Sequence, residues 1–282
     1  MALTLHLDPL FSPYPNLETV SFESFMFSGG EPHIKLLSSV EGQAVHITHR
    51  ACSWNDLGLI AIASDALRRG GAKSVELTLP YFPGARQDRL MVAGEALTVK
   101  VYANFLNQLS LKRVTIFDPH SEVAPALLDT PRVVSNIDFI REVVSHLPED
   151  VILISPDGGA LKKIYKVAAA LEDYDVVEGG KRRDVKTGQL SGFSVNETDL
   201  KGRPCLIVDD ICDGGGTFIG LAAELKKANA GALFLAVSHG IFSRGLEDLA
   251  EVFSEVFCTD AFNTPALHER LHVVPMVKLL QA

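Results

Sequence analysis

The glycine turn of this chain reads Val208-Asp209-Asp210-Ile211-Cys212-Asp213-Gly214-Gly215-Gly216-Thr217. An apolar run, Leu206–Val208, leads into it, and an amphipathic segment, Gly216–Ala228, leads out of it. The first predicts a buried strand and the second a helix. A strand, a tight turn and a helix in this order are typical of parallel sheets, in which ligands bind where the strands end. The stretch therefore predicts an α/β fold with a binding site at this turn.

Short apolar runs alternate with helical segments along the rest of the chain. The predicted strands are Val45–Thr48, Ser74–Leu79, Val114–Phe117, Val151–Ile154, Asp175–Val177, Leu206–Val208 and Leu233–Val237, and the predicted helices are Asn55–Arg69, Glu95–Leu109, Gly159–Leu171 and Gly216–Ala228. This rhythm occurs twice, so we predict two tandem domains, residues 1–137 and 138–282, each with a mainly parallel sheet flanked by helices. Gly179–Glu197 is polar and contains glycine, and it is predicted to be a mobile loop.

Composition narrows the class of protein. The 282 residues are 47% hydrophobic, enough for a substantial core, and the formal net charge is -9, which argues against a nucleic-acid partner. No apolar run approaches the length of a membrane span, and because Met1–Asp8 has neither a basic region nor a long apolar run, we expect no signal peptide. The four cysteines have no zinc-binding spacing. We therefore expect a cytoplasmic protein without a membrane or nucleic-acid partner.

The glycine turn has the chemistry of a ribose phosphate site. Gly214, Gly215 and Gly216 let backbone amides approach a ligand, and the following helix start adds positive potential that suits a phosphate, with the hydroxyl of Thr217 beside it. Asp209 and Asp210 would repel a phosphate but can accept hydrogen bonds from a cis-diol. The alternative is a solvated acidic turn in which Asp213 caps the helix.

The whole turn resembles the phosphoribosyl diphosphate loop of the type I phosphoribosyltransferase superfamily, in which it holds the ribose phosphate through Asp209, Asp210 and the residues from Asp213 to Thr217. That superfamily contains transferases, repressors and ribose-phosphate diphosphokinases. The resemblance implies that both predicted domains have the phosphoribosyltransferase-like fold, with the ribose-phosphate loop in the second. Other motifs must distinguish the three branches.

The arginine turn, residues 80–89, follows the predicted strand Ser74–Leu79. It contains Arg86, Gln87, Asp88 and Arg89, and by composition alone it could be a surface ion-pair cluster. Arginine forks suit phosphate oxygens, and an amide can contact an adenine edge. The turn resembles the ATP-binding signature of the diphosphokinases. That resemblance places ATP on the first domain.

Two further turns resemble metal and ATP segments of the same family. His120 lies in Phe117-Asp118-Pro119-His120-Ser121, and Asp157 lies in Ser155-Pro156-Asp157-Gly158-Gly159-Ala160. The resemblance implies that both help to hold Mg²⁺, with His120 also near ATP and Asp157 near the ribose. Alternatively, His120 is structural and Asp157 caps a helix.

Three more segments follow the family order. Lys181 and Arg183, in Gly180-Lys181-Arg182-Arg183, resemble the catalytic cations that stabilise the transferring phosphoryl group. Met26–Glu31 resembles a segment that completes the ATP site through Phe27, Gly29, Gly30 and Glu31, although Phe27 could equally be a core residue. Ser238–Ser243 resembles a wall of the ribose site.

The resemblance covers roughly Phe27 to Leu280, and two departures stand out. The flap, residues 90–95, has no cation where many relatives are strongly basic, and Gly214 replaces the usual threonine after Asp213. The first departure leaves open a non-catalytic regulatory paralogue. The second leaves open an acceptor larger than ribose 5-phosphate, such as the distal ribose of ADP-ribose.

The leading hypothesis is Mg²⁺-dependent transfer of the diphosphate of ATP to the 1-hydroxyl of ribose 5-phosphate, with release of AMP. The resemblance also implies a homo-oligomer, either a dimer or a hexamer. A plain phosphoribosyltransferase or a nucleotide-sensing regulator is a further alternative, and it would leave the arginine turn without a role.

Overall fold

A computed structural model describes residues 2–172, 174–183 and 190–280. They form two compact units, one of residues up to 134 together with 276–280, the other of residues 135–275. The predicted division after residue 137 falls slightly beyond this one. The C-terminal tail, assigned by sequence to the second domain, instead belongs to the first unit. None of the helices in these described ranges combines the length and apolar character needed to cross a bilayer.

The first unit has a six-stranded sheet, a hairpin and three helices before the chain leaves it. Its elements are β1 (Ala2–His6), β2 (Glu18–Thr19), β3 (Phe22–Met26), β4 (Pro32–Leu36), β5 (Ala44–Thr48), α1 (Trp54–Arg69), β6 (Ser74–Thr78), α2 (Thr98–Asn107), β7 (Arg113–Phe117), α3 (Val123–Leu127) and β8 (Pro131–Val134). The strand order is β2-β1-β5-β6-β7-β8, and all neighbours are parallel. Strands β3 and β4 pair separately and antiparallel.

The helices of the first unit pack on one face of its sheet. Leu57, Ile60 and Leu67 of α1 lie at helical spacing and are fully buried against strand residues such as Ile47 and Leu77. A capping box starts α1, in which Ser53 Oγ accepts from the Asp56 amide and Asp56 Oδ2 accepts from the Ser53 amide.

The second unit has a seven-stranded sheet. Its elements are α4 (Ile137–Val144), β9 (Ile152–Ser155), α5 (Leu161–Leu171), β10 (Val176–Arg183), β11 (Leu190–Val195), β12 (Cys205–Cys212), α6 (Gly216–Lys227), β13 (Leu233–Gly240), α7 (Glu247–Val252), β14 (Glu255–Thr259) and β15 (Leu271–Val274). The strand order is β11-β10-β9-β12-β13-β14-β15, and only β11 runs antiparallel. The last helix, α8 (Met276–Leu279), returns to the first unit. Two parallel sheets with covering helices confirm the predicted fold class.

The prediction of a mobile loop over Gly179–Glu197 is wrong for the residues that the structure describes. Residues 176–183 and 190–195 form the antiparallel pair β10–β11, whereas 184–189 lie outside the described ranges. A Cβ on Gly179 would lie 2.6 Å from the Ser155 carbonyl oxygen, and one on Gly180 would lie 2.5 Å from Ser194 Oγ. Close backbone approach therefore requires these glycines, which in sequence suggested a loop.

Candidate functional site

The glycine turn lies at the carboxyl end of β12, at the centre of the second sheet. The neighbouring strands β9 and β13 are parallel to β12, so their own following turns lie at the same edge. Gly215 has φ +76 and precedes α6, and a Cβ there would lie 3.1 Å from Leu249. The N-cap of α6 is Gly215. The alternative in which Asp213 occupies the cap position is therefore not what the chain adopts.

Asp209, which is partly exposed, and the buried Asp210 form an acidic pair near the end of β12. The Asp210 amide donates to Asp209 Oδ1 at 2.9 Å, and Asp210 is 7% exposed. Burial raises the pKa of Asp209 well above its usual range, and the adjacent Asp210 and nearby Asp157 raise it further. Such a pair is stabilised by a cation or by hydroxyl donors.

Asp157 lies in the turn after β9, near the acidic pair. Its Oδ1 accepts from the amides of Gly159, at 2.8 Å, and Ala160, at 3.1 Å, while Ser155 Oγ donates to the Asp157 carbonyl. These bonds organise the turn before α5 but do not cap the helix, because its N-cap is Ala160 and no side chain accepts a hydrogen bond there. The alternative in which Asp157 is a plain helix cap is therefore not what the chain adopts. The same carboxylate is close enough to raise the pKa of Asp209.

The predicted catalytic cations belong to strand β10, next to β9. The backbone of Lys181 pairs with Phe193, and that of Arg183 pairs with Leu190, with a register irregularity between residues 182 and 183. The side chains of Lys181 and Arg183 lie outside the described part of the structure. Phe193 packs on Gly220 of α6, where a Cβ would lie 2.1 Å from its ring. The pair β10–β11 is thus anchored on the helix that follows the glycine turn.

The arginine turn of the first unit is joined to the turn after β7. Strands β6 and β7 are adjacent, and the Phe117 amide donates to the Pro80 carbonyl at 2.9 Å. Burial alone would raise the pKa of Asp88, but hydrogen bonds from Ser121 and Arg89, with the charges of Arg89 and His120, lower it below 3.8. Asp88 therefore faces the protein and fixes the turn that carries His120.

Arg86, Gln87 and Arg89 are the exposed members of the arginine turn. The Arg89 side chain is 70% exposed, whereas that of Asp88 is 5% exposed, although Arg89 Nε donates to Asp88 Oδ1 at 3.1 Å. The surface of this turn is therefore made of two guanidinium groups and one amide. This is a suitable surface for a polyphosphate and a base edge.

The flap beyond the arginine turn folds on its own glutamate. Glu95 Oε2 accepts from the amides of Met91, at 2.7 Å, and Val92, at 3.1 Å. Leu90, Met91 and Val92 are exposed. The flap thus presents apolar side chains around a carboxylate.

Phe27 and Glu31 lie in the turn of the β3–β4 hairpin. Phe27 is 51% exposed, and its ring lies 4.8 Å from Phe25 and 5.7 Å from His33, so the alternative of a core phenylalanine is wrong. The Gly30 amide donates to the Phe27 carbonyl, with φ +92 at Gly30. A Cβ on Gly29 would lie 2.5 Å from Glu31 Oε2, so this glycine makes room for the carboxylate.

The carboxylates of the second unit could hold magnesium only together with ligands from a substrate. Within the described ranges, no three His, Cys, Asp or Glu side chains converge on a single metal position. Magnesium in nucleotide enzymes is often held by one or two carboxylates together with substrate phosphates and water. The carboxylates of Asp157, Asp209 and Asp210 offer such ligands, whereas the imidazole of His120 suits magnesium less well.

Sequence analysis missed Arg244. It follows the predicted ribose-site wall, and its side chain lies at the glycine turn, with Cδ and Nε 3.3 Å from the Cβ position of Gly214. The only signal in the sequence was a cation one residue after Ser243. Nothing in the spacing indicated that it would lie beside Gly214.

Comparison with known proteins gives matches over both units. Residues 11–109 match the N-terminal domain of ribose phosphate pyrophosphokinase, and residues 125–266 match a phosphoribosyl transferase domain. The ribose-phosphate pyrophosphokinase of Shewanella oneidensis is 31% identical, over 90% of this chain and 81% of that protein. The ribose-phosphate pyrophosphokinase of Vibrio parahaemolyticus is 32% identical, over 84% of this chain and 77% of that protein.

A solved structure shows the same fold. The crystal structure of phosphoribosylpyrophosphate synthetase from Mycobacterium smegmatis matches with a TM-score of 0.84 and 25% identity, covering 99% of this chain and 96% of that one. These matches confirm the resemblance that the glycine and arginine turns indicated. With both domains matched in order and relatives above 30% identity over most of their length, this chain belongs to the ribose-phosphate pyrophosphokinase family.

Proposed function

We propose that this protein catalyses the ATP-dependent formation of phosphoribosyl diphosphate from ribose 5-phosphate, with release of AMP. Membership of the ribose-phosphate pyrophosphokinase family is the observation that carries this proposal. The arginine turn in one unit and the glycine turn in the other supply the two kinds of surface that the two substrates need. The transferred group is the β,γ-diphosphate, and its acceptor atom is the oxygen of the ribose 1-hydroxyl.

ATP binds at the arginine turn. Arg86 and Arg89 neutralise its phosphates, Gln87 contacts the adenine edge, and Asp88 holds the turn in place through Ser121. His120 meets the phosphates from the adjacent turn. The hairpin turn completes the site, with Phe27 stacking on a base, Gly29 and Gly30 shaping the turn, and Glu31 accepting hydrogen bonds. The exposure of the Phe27 ring supports its part in this assignment.

The ribose phosphate binds at the glycine turn. The amides of Gly214, Gly215 and Gly216, the hydroxyl of Thr217 and the start of α6 receive the phosphate. Asp209 and Asp210 accept hydrogen bonds from the ribose hydroxyls, with Asp213 at the entrance to the turn. The raised pKa of Asp209 supports this assignment, because hydroxyl donors stabilise a buried carboxylate.

Magnesium would be held by Asp157 and the neighbouring carboxylates together with substrate phosphate oxygens, and when bound it would supply positive charge against the diphosphate. Lys181 and Arg183 stabilise the charge that develops on the transferring group. The place of their strand next to β9, which leads to Asp157, supports this role. Assembly into a homo-oligomer, a dimer or a hexamer, belongs to the same proposal by analogy with the family.

AMP release tests the proposal. Purified protein is incubated with ATP, Mg²⁺ and ribose 5-phosphate, and AMP and phosphoribosyl diphosphate are quantified. Lys181→Ala is expected to lower turnover about 10²- to 10³-fold, as removal of a transition-state donor does. Lys227→Ala is the matched control, since it removes an exposed cation that pairs with Glu224 at the far end of α6. Near-normal turnover of Lys181→Ala would remove Lys181 from catalysis.

A second candidate acceptor is a ribose 5-phosphate that carries an extension, such as ADP-ribose. The observation in its favour is that Gly214 has no side chain and that a cation, Arg244, lies beside it. The same assay with ADP-ribose in place of ribose 5-phosphate separates the two acceptors. Equal or faster turnover of ribose 5-phosphate would exclude the extended acceptor, and no AMP release with either would favour a non-catalytic regulatory paralogue.

A further inference from the structure

The loop after β13 is fixed to the glycine turn by its backbone. The amides of Ile241 and Phe242 donate to the Cys212 carbonyl at 2.9 and 3.2 Å, and the amide of Ser243 donates to the Asp213 carbonyl at 3.0 Å. The Gly245 amide closes the loop on the Phe242 carbonyl at 2.9 Å. Four backbone hydrogen bonds around one exposed residue, Arg244, determine the position from which its side chain starts.

The side chain of Arg244 lies against the backbone of Gly214. Its Cγ, Cδ and Nε lie 3.6, 3.3 and 3.3 Å from the Cβ position of Gly214. The two 3.3 Å distances are tighter than ordinary van der Waals contact, so a side chain at position 214 would push the Arg244 side chain aside by a few tenths of an ångström. The absence of a side chain at 214 and the presence of a cation at 244 are therefore linked by geometry.

Arg244 itself is suited to an anionic ligand. The residue is exposed, and no ion pair of Arg244 is found within the described ranges, although the carboxylates of Asp213 and Glu247 belong to the same two turns. The amides of the glycine turn and the start of α6 contribute positive potential beside it. A guanidinium group supplies forked donors that match phosphate oxygens, which an ammonium group does not.

We propose that Arg244 is a specificity-determining residue that binds the phosphate of the ribose acceptor, in place of the hydroxyl that Gly214 lacks. The inference rests on the proposed function, because it assigns the ribose phosphate to the glycine turn. It adds a ligand from the loop after β13. The fork contacts phosphate oxygens that point away from the amides of the turn, and it acts on any acceptor with a phosphate at the ribose 5-position.

Binding measurements test this assignment without requiring turnover. Calorimetry is carried out with ribose 5-phosphate and with ADP-ribose, on the wild type and on Arg244→Ala, Arg244→Lys and Lys227→Ala. One charge-assisted hydrogen-bonded contact corresponds to roughly a ten- to hundredfold change in affinity. Arg244→Ala should therefore lower the affinity for the acceptor that the wild type binds more tightly by that factor. Arg244→Lys should recover part of the lost affinity, and Lys227→Ala should change the affinity less than about twofold.

Two further readouts separate binding from structure. Affinity for a non-hydrolysable ATP analogue should be the same in Arg244→Ala and the wild type. Gly214→Thr places a Cβ where it displaces Arg244. Arg244→Ala should therefore lower acceptor affinity much less in the Gly214→Thr background than in the wild type. Additive losses in this double-mutant cycle would contradict the link between the two positions.

The outcomes distinguish this assignment from the proposed function. Acceptor affinity of Arg244→Ala within twofold of the wild type overturns the role of Arg244, while AMP release by the wild type leaves the function intact. Binding that depends on Arg244 in a wild type that releases no AMP supports the assignment and contradicts the activity. A wild type that binds neither acceptor overturns both.

Discussion

Replacing Asp88 by asparagine should destabilise the first unit and weaken ATP binding together. Asp88 is buried in the arginine turn, where Ser121 and Arg89 donate to its carboxylate. Asparagine has nearly the same shape and keeps one acceptor, but it carries no charge. The change therefore removes the charge from two hydrogen bonds while leaving the volume of the site almost unchanged.

The expected loss follows from the exposure of the two donors. A charge-assisted hydrogen bond contributes about 1.5–3 kcal/mol and is about twice as strong as a neutral one, so the buried Ser121 bond loses about half of that. The Arg89 side chain is 70% exposed, so its share is about 0–1 kcal/mol. Together Asp88→Asn should cost about 1–2 kcal/mol, which lowers the melting temperature by about 2–8 °C.

The pH dependence gives a second signature. The pKa of Asp88 is lowered in the folded protein, so its contribution is present above 3.8 and is lost as the pH falls through the lower native value. The difference in unfolding free energy between the wild type and Asp88→Asn should therefore be full at pH 7 and shrink toward pH 3. The KM for ATP should rise, with the KM for the acceptor unchanged.

Thermal and urea unfolding at several pH values, with steady-state AMP release, are the measurements. Asp65→Asn is the matched control, because Asp65 is an exposed carboxylate that pairs with Arg69 at 2.7 Å on the surface of α1. It should cost no more than about 0.5 kcal/mol. Equal melting temperatures for Asp88→Asn and Asp65→Asn at pH 7, or a difference that persists unchanged at pH 3, would refute the reasoning.

Two further perturbations concern the second unit. Asp209→Asn removes one of two adjacent carboxylates, so it should stabilise the protein by about 0.5–2 kcal/mol in thermal unfolding while weakening acceptor binding in calorimetry. A destabilised variant would contradict the electrostatic cost inferred for the pair. Gly220→Val on α6 forces the Phe193 ring out of its place and should cost about 1–3 kcal/mol and reduce turnover. Gly192→Val, next to Phe193 on β11 with no atom within 4 Å of its Cβ position, should do neither. Equal effects of these two valines would contradict the anchoring of β10–β11 on α6.

Hydrophobic runs made most of the parallel strands predictable. Strands β9, β12 and β13 are buried on both faces and therefore read as continuous apolar runs. The prediction gave the right length for β9 but underestimated the lengths of β12 and β13, because β12 extends through Asp209 and Asp210 to Cys212, and β13 extends to Gly240. An apolar run in the sequence indicates which part of a strand is buried in the core. It does not indicate how far polar residues extend the strand with further backbone hydrogen bonds.

The sequence predicted only the start of β10, at Asp175–Val177, and missed β11 and the β3–β4 hairpin. Strand β11 lies at the sheet edge, and β3, in a separate two-stranded sheet, is mostly exposed, so their sequences contain many polar residues. The glycines at 179 and 180 indicated a loop, but in the structure they allow β10 to approach Ser155 and Ser194 closely. Contacts of this kind depend on tertiary structure, which local propensity does not contain.

The sequence placed the predicted site residues in consecutive motifs, but it did not show which side chain of a motif faces the protein and which faces solvent. The arginine turn is one motif in the sequence, but in the structure Asp88 faces inward while Arg86, Gln87 and Arg89 are exposed. Arg244 was missed because its neighbour Gly214 is distant in sequence and carries no side chain. A glycine such as Gly214 does not indicate which residue lies against it. Only the folded structure shows that Arg244 fills the space beside it.

The acidic pair gives the strongest physical reason to regard the glycine turn as a binding site. A turn that only started a helix would need one capping oxygen, yet the N-cap is Gly215, and Asp209 and Asp210 lie upstream in β12. Burial raises the pKa of Asp209, and the adjacent Asp210 raises it further, so the ionised pair opposes folding rather than supports it. A ligand that donates hydrogen bonds or a bound cation would reverse that cost. We therefore expect a ligand or a cation at the centre of the second sheet to stabilise the folded protein by offsetting the cost of this acidic pair.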